Sequence, residues 1–363
     1  MGSKSKIHSF VLNIVYSPVV NKLISVVGGQ KLYAECLIWQ KKKQLLTEAK
    51  MEFEKGSSFG NLNDYKQALE KHWVSYKEYG EMYEFYNKSE NERDEYVSLL
   101  KMTYFYRRYN NGVVLPVMRD KQKFLKTYSK YIHRKWLYAP ESSFEQFEQL
   151  ITNYDCIVKP CDEARGKGVF KVYKDADHGN DKALFNSCVA NRMVVEQCIE
   201  SCEELKAFHP KSLNTIRVVT VAGKEKACVF SGVFRAGVGD SVVDNTHAGG
   251  ISVQINPQDG IVETDGADAT GKRYVCHPDS GIQFKGYQIP QWKNIVNDCC
   301  ELAMEVKNPI TGWDVVVNSQ GEVEFIEANY GPDLDVMQVR YGHGVKKKIY
   351  ALIEEYCGIT MKD

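Results

Sequence analysis

The sequence predicts an α+β fold preceded by a mainly helical N-terminal region. Between about residues 32 and 109 the chain has no proline, and its apolar residues recur at intervals of three and four, which is typical of helices. After residues 110–112, short β-branched runs bounded by Gly, Asp and Asn follow one another, with few helices between them. Strands joined by hairpins favour an α+β architecture over a repeating βαβ sheet.

The individual elements follow from these patterns. In the helical region, residues 56–63 form the predicted loop between two helices, and Asn63 is the predicted N-cap of the second. Later helices are predicted at residues 121–134, 143–152 and 290–305. Strands are predicted at residues 156–158, 169–173, 193–195, 215–221, 227–234, 250–255, 315–317 and 323–326. We therefore expect a helical region (residues 1–110), a first α+β subdomain (residues 111–200) and a second one (residues 201–363).

Composition restricts the class of protein. Of the 363 residues, 43% are hydrophobic and 26% are charged, as in ordinary globular proteins, and 47 basic residues balance 47 acidic ones. The chain therefore has no excess positive charge to attract nucleic acid. The eleven cysteines form no C-x-x-C pair and no zinc-ribbon spacing, so we expect free thiols in a reducing cytoplasm.

The most apolar stretch of the chain covers residues 8–28. Asn13, Pro18, Asn21 and Lys22 interrupt it, so it predicts neither a membrane-spanning helix nor a signal peptide. Two alternatives remain for this stretch: packing onto the domain body, or a weak contact with a membrane surface. We accordingly expect a cytoplasmic protein, with a peripheral position at the inner membrane face as the alternative.

Several well-known catalytic motifs are missing, but a glycine-rich hairpin is present. The sequence has no P-loop, no G-x-G-x-x-G after a strand, no G-x-S-x-G and no H-E-x-x-H. A predicted strand ends at Lys159, and Gly166, Lys167 and Gly168 follow in the loop before the next strand. Such a hairpin can lay amides and ammonium groups over phosphates, although solvated surface hairpins share the pattern. The strand at residues 194–199 offers a backbone edge that suits adenine, and the acidic loop after it suits ribose unless it is merely solvated.

A possible metal site lies near the C-terminus. Asp314 stands at the start of one predicted strand, and Glu327 and Asn329 lie on the strand that returns after the turn at residues 319–321. Because Glu327 and Asn329 are two residues apart, both point to one face of an extended strand. Two carboxylates and an amide oxygen form an all-oxygen site, which suits Mg²⁺ shared with phosphates and does not suit zinc. An apolar strand has little reason to bury these groups unless a cation binds them.

The order of these features resembles the ATP-grasp superfamily over about residues 121–338: a strand lysine, a glycine-rich flap, an E-x-x-[IL]-x-x-x-E hinge and a D…E-x-N set. The hinge and D…E-x-N spacings are similar to those of D-alanine–D-alanine ligase-type members. Residues 212–217, 234–235, 244–250 and 312–314 further resemble the sugar-transfer-associated ATP-grasp group, whose relatives occur among polysaccharide-synthesis functions. The resemblance implies an ATP-grasp fold in which two subdomains clasp ATP.

The resemblance also implies roles for individual residues. The implied ATP-binding residues are Lys121, Lys159, Gly166, Lys167, Gly168, Glu196, Gln197, Ile199 and Glu203. The lysines and the flap would hold the phosphates. The backbone of the hinge would bind adenine, and Glu203 would bind the ribose. Lys123 and Lys126 compete with Lys121, and Glu204 competes with Glu203. The implied ligands of two Mg²⁺ ions are Asp314, Glu327 and Asn329.

The remaining implied residues concern catalysis and the substrate. The implied catalytic residues are Arg235, Arg217 and Lys167, and the implied substrate-binding residues are Asn245, Gly249 and Gly250. Gly312 stands where D-alanine ligases have an arginine, which leaves the charge of an acyl phosphate to Arg235 or Arg217.

The activity implied by the resemblance is that of an ATP-dependent carboxylate–amine ligase that acts through an acyl phosphate and releases ADP and phosphate. Its small-molecule substrates would be a carboxylate, such as a sugar acid or an amino acid, and an amine, both possibly sugar-linked, in surface polysaccharide synthesis. Two alternatives stay open: an ATP-grasp kinase that phosphorylates a hydroxyl, and a non-catalytic nucleotide-binding protein.

Overall fold

The structure is a computed structural model that describes residues 29–82, 84–162, 167–244, 249–334, 337–338 and 342–361. The chain divides into two compact units, one of Met1–Asn110 with Asp333–Ile349 and one of Asn111–Pro332 with Tyr350–Asp363. The predicted subdomain boundary at residue 200 lies inside the second unit and stays a prediction. Within the described residues, no helix has the length and apolar character needed to cross a membrane. The apolar stretch at residues 8–28 lies outside them.

The first unit is helical, as predicted. Its elements are α1 (Gly29–Glu54), α2 (Leu62–His72), a π-helical turn (Glu78–Met82), a 3₁₀ turn (Phe85–Asn87), α3 (Glu90–Asp94) and α4 (Leu99–Tyr109). Aromatic side chains dominate its core, including Tyr65, Tyr79, Phe85 and Tyr96. The buried Gln338 binds Val97 twice, accepting from its amide at 2.9 Å and donating to its carbonyl at 2.8 Å. This pair of hydrogen bonds joins the C-terminal segment to the helices.

The N-cap of α2 is Asn61, so the prediction of Asn63 was wrong. Asn61 has an extended backbone, and its Oδ1 accepts hydrogen bonds from the amides of Asn63 at 2.9 Å and Asp64 at 3.0 Å. These two amides belong to the first helical turn, where no carbonyl of the helix can reach them. Asn63 therefore lies inside the helix, two residues after the cap.

The second unit begins with helices and a small sheet. The helices are α5 (Leu115–Arg119) and α6 (Lys121–Thr127), and the strands are β1 (Trp136–Tyr138), β2 (Cys156–Pro160), β3 (Phe170–Val172) and β4 (Met193–Gln197). The sheet has the antiparallel order β1-β4-β2-β3. The helices α7 (Phe144–Asn153) and α8 (Asp181–Ala190) share its hydrophobic core, which includes Phe147, Val158 and Phe185.

Helix α6 is shorter than the predicted helix at residues 121–134. The backbone leaves the helical region at Tyr128 (φ −108°, ψ 32°), and a 3₁₀ turn over Ser129–Tyr131 follows. The chain is extended from Ile132 onward. This early end of the helix brings His133 and Arg134 into the space between the two sheets of the unit, where both hydrogen-bond to Glu324 of the large sheet.

The large sheet contains seven antiparallel strands in the order β11-β10-β5-β6-β7-β8-β9. They are β5 (Ile216–Ala222), β6 (Ala227–Ala236), β7 (Ile251–Ile255), β8 (Gly266–Ala267), β9 (Arg273–Tyr274), β10 (Ile310–Val317) and β11 (Val323–Asn329). The short helix α9 (Glu203–Lys206) precedes β5, and α11 (Lys346–Cys357) closes the chain. Helix α10 (Trp292–Val306) lies against one sheet face in a core with Phe234, Val253, Trp313 and Phe325. The opposite face carries Arg217, Arg235 and Asp314 together with some valines.

We expect Asn61→Ala to lower the free energy of unfolding by about 0.5–2 kcal/mol, because two amides of α2 lose their acceptor. Urea denaturation followed by circular dichroism measures this loss. Asn63→Ala is the matched control, since Asn63 accepts no capping bond and should change stability by only a few tenths of that amount. An equal loss in both variants would contradict the corrected cap.

Candidate active site

One face of the large sheet carries the charged residues that the sequence singled out. In the register of the strands, Asp314 lies opposite Glu327 on β11 and opposite Arg217 on β5, and Gly312 lies opposite Asn329. Asp314 is the fifth residue of β10, not its first as predicted, because β10 begins at Ile310 and pairs with β5 from there. The side chains of cross-strand partners share a face. The structure therefore brings the three predicted metal ligands and Arg217 together.

Asp314 is buried between two guanidinium groups. Arg217 binds both of its oxygens, with Nη2 donating to Oδ2 at 2.7 Å and Nε donating to Oδ1. Arg235 approaches Oδ2 with its Nη2 at 3.0 Å. Burial alone would raise the pKa of Asp314, but the charges of Arg217 and Arg235 outweigh burial and hold this pKa far below its usual value. Asp314 is thus ionised at every physiological pH.

Glu327 has the opposite electrostatic character. Burial of the carboxyl among protein atoms raises its pKa, and the nearby charge of Asp314 raises it further, since a protonated Glu327 can donate a hydrogen bond to Asp314. The residue is nevertheless exposed, so the carboxyl is surrounded by protein atoms and still reached by water, as in a cleft-like site. A group with a raised pKa in such a cleft is typical of functional sites.

Asn329 completes a set of oxygen ligands. Its buried Nδ2 has no hydrogen-bond partner within the described residues, whereas buried amides are normally paired. Nδ2 is a donor and cannot bind a cation, but Oδ1 of the same carboxamide and the two facing carboxylates supply the oxygen atoms that a hard divalent cation such as Mg²⁺ prefers. The residues present therefore fit the predicted metal site.

Gly312 leaves room for its neighbours on this face. A Cβ at Gly312 would lie 2.9 Å from Cβ of Pro332, 3.3 Å from Cβ of Asn329 and 3.4 Å from Cδ of Arg217. A side chain here would press first against Pro332 and then against Asn329, with the stem of Arg217 at ordinary contact distance. Glycine therefore lets these neighbours approach the strand closely.

A β-bulge re-aims the side chains of β11. The register passes from Asp314–Glu327 to Val315–Phe325, so Ile326 is an extra residue on β11. Because of this residue, Glu324 and Glu327 both fall on the face of Asp314, although they are three residues apart. Without the bulge, the two glutamates would point to opposite faces.

Arg134 connects this face to the small sheet. Its Nε donates to Oε2 of Glu196 on β4 at 2.6 Å, and its Nη1 donates to Glu324 and to the Phe325 carbonyl at 2.8 Å. Lys159 on β2 lies 3.2 Å from the other oxygen of Glu196. Burial alone would raise the pKa of Glu196, but the charges of Lys159 and Arg134 lower it to about 2. The four side chains form one buried ionic network between the sheets.

The predicted phosphate-binding lysines meet at the end of β2. Besides Lys159 on that strand, Lys121 donates from Nζ to the carbonyl of Pro160 at 3.1 Å, and its amide donates to Cys161 at 3.0 Å. Lys123 and Lys126 are paired elsewhere, with Asp120 and Glu141. Of the flap residues, Lys167 and Gly168 are exposed, Gly168 has a positive φ of 72°, and Gly166 lies outside the described residues.

The predicted hinge leaves the small sheet at the end of β4. The Gln197 amide donates to Lys135 at 2.8 Å, and its side chain accepts from the Lys135 amide, which fixes the strand end. Ile199 follows the strand and packs against the large core. Glu203 is exposed at the start of α9, beside the equally exposed Glu204. Adenine and ribose roles for these residues stay predictions.

The predicted substrate loop is described at its two ends. Asn245 lies outside the described residues. Gly249 is exposed with a φ of 97°, and a Cβ at Gly250 would overlap the carbonyl oxygen of Asp244. Asp244 in turn accepts hydrogen bonds from Thr215, next to the start of β5. The loop base is therefore tied to the strand that carries Arg217.

Sequence reasoning gave no role to four residues of this site: Arg134, Glu324, Thr215 and Asp244. Arg134 and Glu324 are charged residues whose burial depends on partners about 60 and 190 positions away, which no local pattern records. Thr215 and Asp244 stood in the motifs that carried the resemblance. The available signal was the position of Thr215, a polar residue directly before the strand that carries Arg217.

Two antiparallel sheets, one carrying Lys159 and the other the facing Asp314 and Glu327, make up an α+β unit, and the predicted ATP-grasp fold is confirmed. The chain belongs to the sugar-transfer associated ATP-grasp family, which matches residues 100–353. No curated protein matches the sequence.

Solved structures with a similar fold are distant in sequence. The ATP-grasp ligase PsnB, complexed with a minimal precursor, shares 15% identity over 73% of this chain and 71% of that chain, with a TM-score of 0.43. The biotin carboxylase domain of Hydrogenobacter thermophilus 2-oxoglutarate carboxylase was solved in complex with MgADP. It shares 9% identity over 70% of this chain and 49% of that chain, with a TM-score of 0.43. N5-carboxyaminoimidazole synthase from Aspergillus clavatus, in complex with ADP, shares 11% identity over 61% of this chain and 46% of that chain, with a TM-score of 0.36. This chain thus spans about half the length of the last two.

The raised pKa of Glu327 gives a pH prediction for the metal-free protein. The folded state binds this proton more tightly than the unfolded state, so stability falls as pH rises from about 4.3 through the raised pKa. Glu327→Gln removes the effect. We expect the variant to gain stability over the wild type with increasing pH, as measured by urea unfolding in EDTA at pH 4 and pH 7.

Glu225→Gln, in the exposed turn between β5 and β6, is the matched control and should show no such trend. Adding Mg²⁺ at pH 7 should stabilise the wild type more than Glu327→Gln. A stability difference that is independent of pH would contradict the electrostatic assignment of Glu327.

Proposed function

We propose that the protein is an ATP-dependent carboxylate–amine ligase that acts through an acyl phosphate. The observation that carries the proposal is the row of Asn329, Glu327, Asp314, Arg217 and Arg235 on one sheet face, with two lysines at the end of β2. This arrangement offers charge of both signs for a phosphoryl transfer and no side chain arranged as a nucleophile. The reacting nucleophiles would therefore come from the substrates.

ATP and Mg²⁺ are the proposed cofactors. Lys159, held by Glu196, and Lys121, held at the Pro160 carbonyl, are placed to receive the α- and β-phosphates. Lys167 and Gly168 of the flap would cover them. Asp314, Glu327 and Asn329 would hold Mg²⁺, which when bound neutralises charge on the β- and γ-phosphates. The contacts of Lys121 favour it over Lys123 and Lys126 as the first lysine.

The two arginines are the proposed electrostatic catalysts. A substrate carboxylate oxygen attacks the γ-phosphorus, the bond to the β-phosphate oxygen breaks, and ADP leaves with an acyl phosphate behind. Arg217 and Arg235 hold positive charge beside this group as its charge develops. The amine then attacks the acyl carbon, phosphate leaves, and the amine nitrogen loses a proton to solvent. Arg217 lies opposite Asp314 on the adjacent strand and binds its carboxylate, which supports its taking the role of the missing arginine.

The substrates are proposed from the family description. The family's association with sugar transfer supports a sugar acid or an amino acid as the carboxylate substrate. The second substrate would be an amine, and either substrate can be linked to a sugar in surface polysaccharide synthesis. PsnB, by comparison, was solved with a precursor peptide, so a peptide carboxylate belongs in the same trial. We propose a cytoplasmic location with small-molecule partners and no nucleic acid; contact with the inner membrane face is the further possibility for residues 8–28.

The test is a product analysis after incubation with ATP, Mg²⁺ and a panel of sugar acids, amino acids and peptides, each with and without amines. We expect ADP and phosphate, an amide in the product mass spectrum, and faster ADP release when carboxylate and amine are both present. AMP and pyrophosphate would refute the acyl-phosphate route. ADP with a phosphorylated acceptor would identify a kinase, and nucleotide binding without turnover on the whole panel would identify a non-catalytic binder.

Lys121→Ala should weaken ATP binding by about 10- to 150-fold, because a charged group that binds phosphate contributes roughly 1.5–3 kcal/mol. Lys123→Ala and Lys126→Ala are matched controls from the same segment and should bind ATP as the wild type does. Calorimetry with ATP and Mg²⁺ measures all three. A loss confined to either control would move the first lysine to that position.

Asp314→Asn should lower turnover by about 100-fold or more while the circular dichroism spectrum stays unchanged, since the charge that holds the metal and both arginines is removed. Asp240→Asn changes an exposed carboxylate in the same way and should leave turnover intact. Wild-type rates for Asp314→Asn at saturating Mg²⁺ would exclude Asp314 as a metal ligand.

A further inference from the structure

Thr215 makes an unusual set of contacts directly before β5. Its amide and its Oγ1 both donate to Oδ2 of Asp244, at 2.6 Å and 2.5 Å. The same Oγ1 accepts from Nε of Arg235 at 3.0 Å and from its Nη2 at 2.6 Å. The backbone amide of Arg235 also donates to the Thr215 carbonyl at 2.9 Å. One buried hydroxyl thus connects a carboxylate to a guanidinium.

The hydroxyl of Thr215 is fully used by these contacts. A threonine hydroxyl offers one donor and two acceptor positions, and here the donor points to Asp244 while both acceptors face Arg235. Donation to an ionised carboxylate strengthens the oxygen as an acceptor for the guanidinium. The orientation of the Arg235 guanidinium is therefore determined from the side of Thr215 as well as from the side of Asp314.

The Arg235 guanidinium lies between a charged acceptor, the Asp314 carboxylate, and a neutral one, the Thr215 hydroxyl. Its Nη2 lies 3.0 Å from Oδ2 of Asp314 and 2.6 Å from Oγ1 of Thr215. Asp314 already accepts from Arg235 and binds Arg217 through both oxygens, so a guanidinium that lost the threonine would turn wholly to Asp314, with the Glu327 carboxyl opposite. It would then compete with a divalent cation for the same carboxylates.

We propose that Thr215 and Asp244 are positioning residues for Arg235: they hold its guanidinium on the sheet face so that a divalent cation can take Asp314 while the arginine stays beside the transferring phosphoryl group. This inference rests on the proposed function, because it assigns Asp314 to the metal. It adds two residues that touch neither nucleotide nor metal and act through Arg235 alone.

The experiment compares Thr215→Val, which keeps the shape and removes the hydroxyl, with Thr215→Ser, which keeps the hydroxyl. The matched control is Thr220→Val on the same strand. Thr220 is equally buried, but its hydroxyl accepts from the Trp313 indole on the core face at 2.9 Å and contacts no arginine. Mg²⁺ is titrated into each protein with fixed ATP, and nucleotide binding is followed by calorimetry or by a fluorescent ATP analogue.

For Thr215→Val we expect the half-saturating Mg²⁺ concentration to rise about tenfold or more, since two hydrogen bonds to a charged group are lost. ATP binding in EDTA should be unchanged, and turnover, once an acceptor is known, should fall with little change in KM for ATP. Thr215→Ser should restore the wild-type Mg²⁺ dependence to within about threefold. Asp244→Asn should give an intermediate shift, because the amide oxygen still accepts but carries no charge.

Two results would overturn the inference: a Thr215→Val protein that behaves as Thr220→Val does, and a Thr215→Ser protein that remains as impaired as Thr215→Val. Both readouts use binding and need no acceptor. If the wild type binds ATP with Mg²⁺ but turns over no acceptor, the ligase proposal fails while the Mg²⁺ shift still reports on Thr215. A wild type whose ATP binding ignores Mg²⁺ would overturn both.

Discussion

The two sheets of the ATP-grasp unit are joined by one buried arginine. Arg134 binds Glu196 of the small sheet and Glu324 of the large sheet, and all three side chains are almost completely buried. Removing one partner of such a network leaves an uncompensated charge in a protein interior and costs about 3–5 kcal/mol. The network therefore contributes geometry above all: it sets the separation between the strand of Lys159 and the strand of Glu327.

This constraint explains how local features of the chain reach one site. Glu196 is held by Arg134 and holds Lys159 in turn, so the lysine is fixed relative to β11, which carries Glu324, and not merely within its own sheet. Lysines and carboxylates on separate layers need such a connection if they are to act on one nucleotide. Pre-organisation of this kind lowers the cost of assembling a charged site when substrate arrives.

Much of the architecture could be predicted from the sequence, because β-branched runs and the order of short motifs are local. The strands that carry Lys159 and Asp314 lie where their composition placed them but are longer than predicted, and the strand of Arg217 has the predicted length, shifted by one residue. Cross-strand register could not be predicted for β10, so Asp314 was assigned to the strand start. The cap of α2 was displaced by two residues, because Asn61 and Asn63 are chemically equivalent and only backbone geometry distinguishes them.

The features that sequence reasoning missed depend on contacts between distant segments. The sequence around Arg134 does not predict a buried ion pair, because a basic residue between a helix and a strand is ordinarily solvated. The structural reason for Gly312 likewise lies on other segments, because a Cβ there would come within 2.9 Å of Cβ of Pro332 and 3.3 Å of Cβ of Asn329. Long-range pairs of this type set the chemistry of the site, although the local pattern sets its scaffold.

The bulge at Ile326 makes the length of β11 a property under strict constraint. Glu324, Glu327 and Asn329 are separated by three and then two residues, and only an inserted residue lets an extended chain present all three on one side. Deleting Ile326 would leave every functional side chain in the protein and yet turn either the inter-sheet glutamate or the metal-site residues toward the core. The strand can exchange apolar residues freely, but it cannot be shortened by one. In β11, the odd spacing of Glu324 and Glu327 is thus compatible with one shared face only because the bulge kinks the strand.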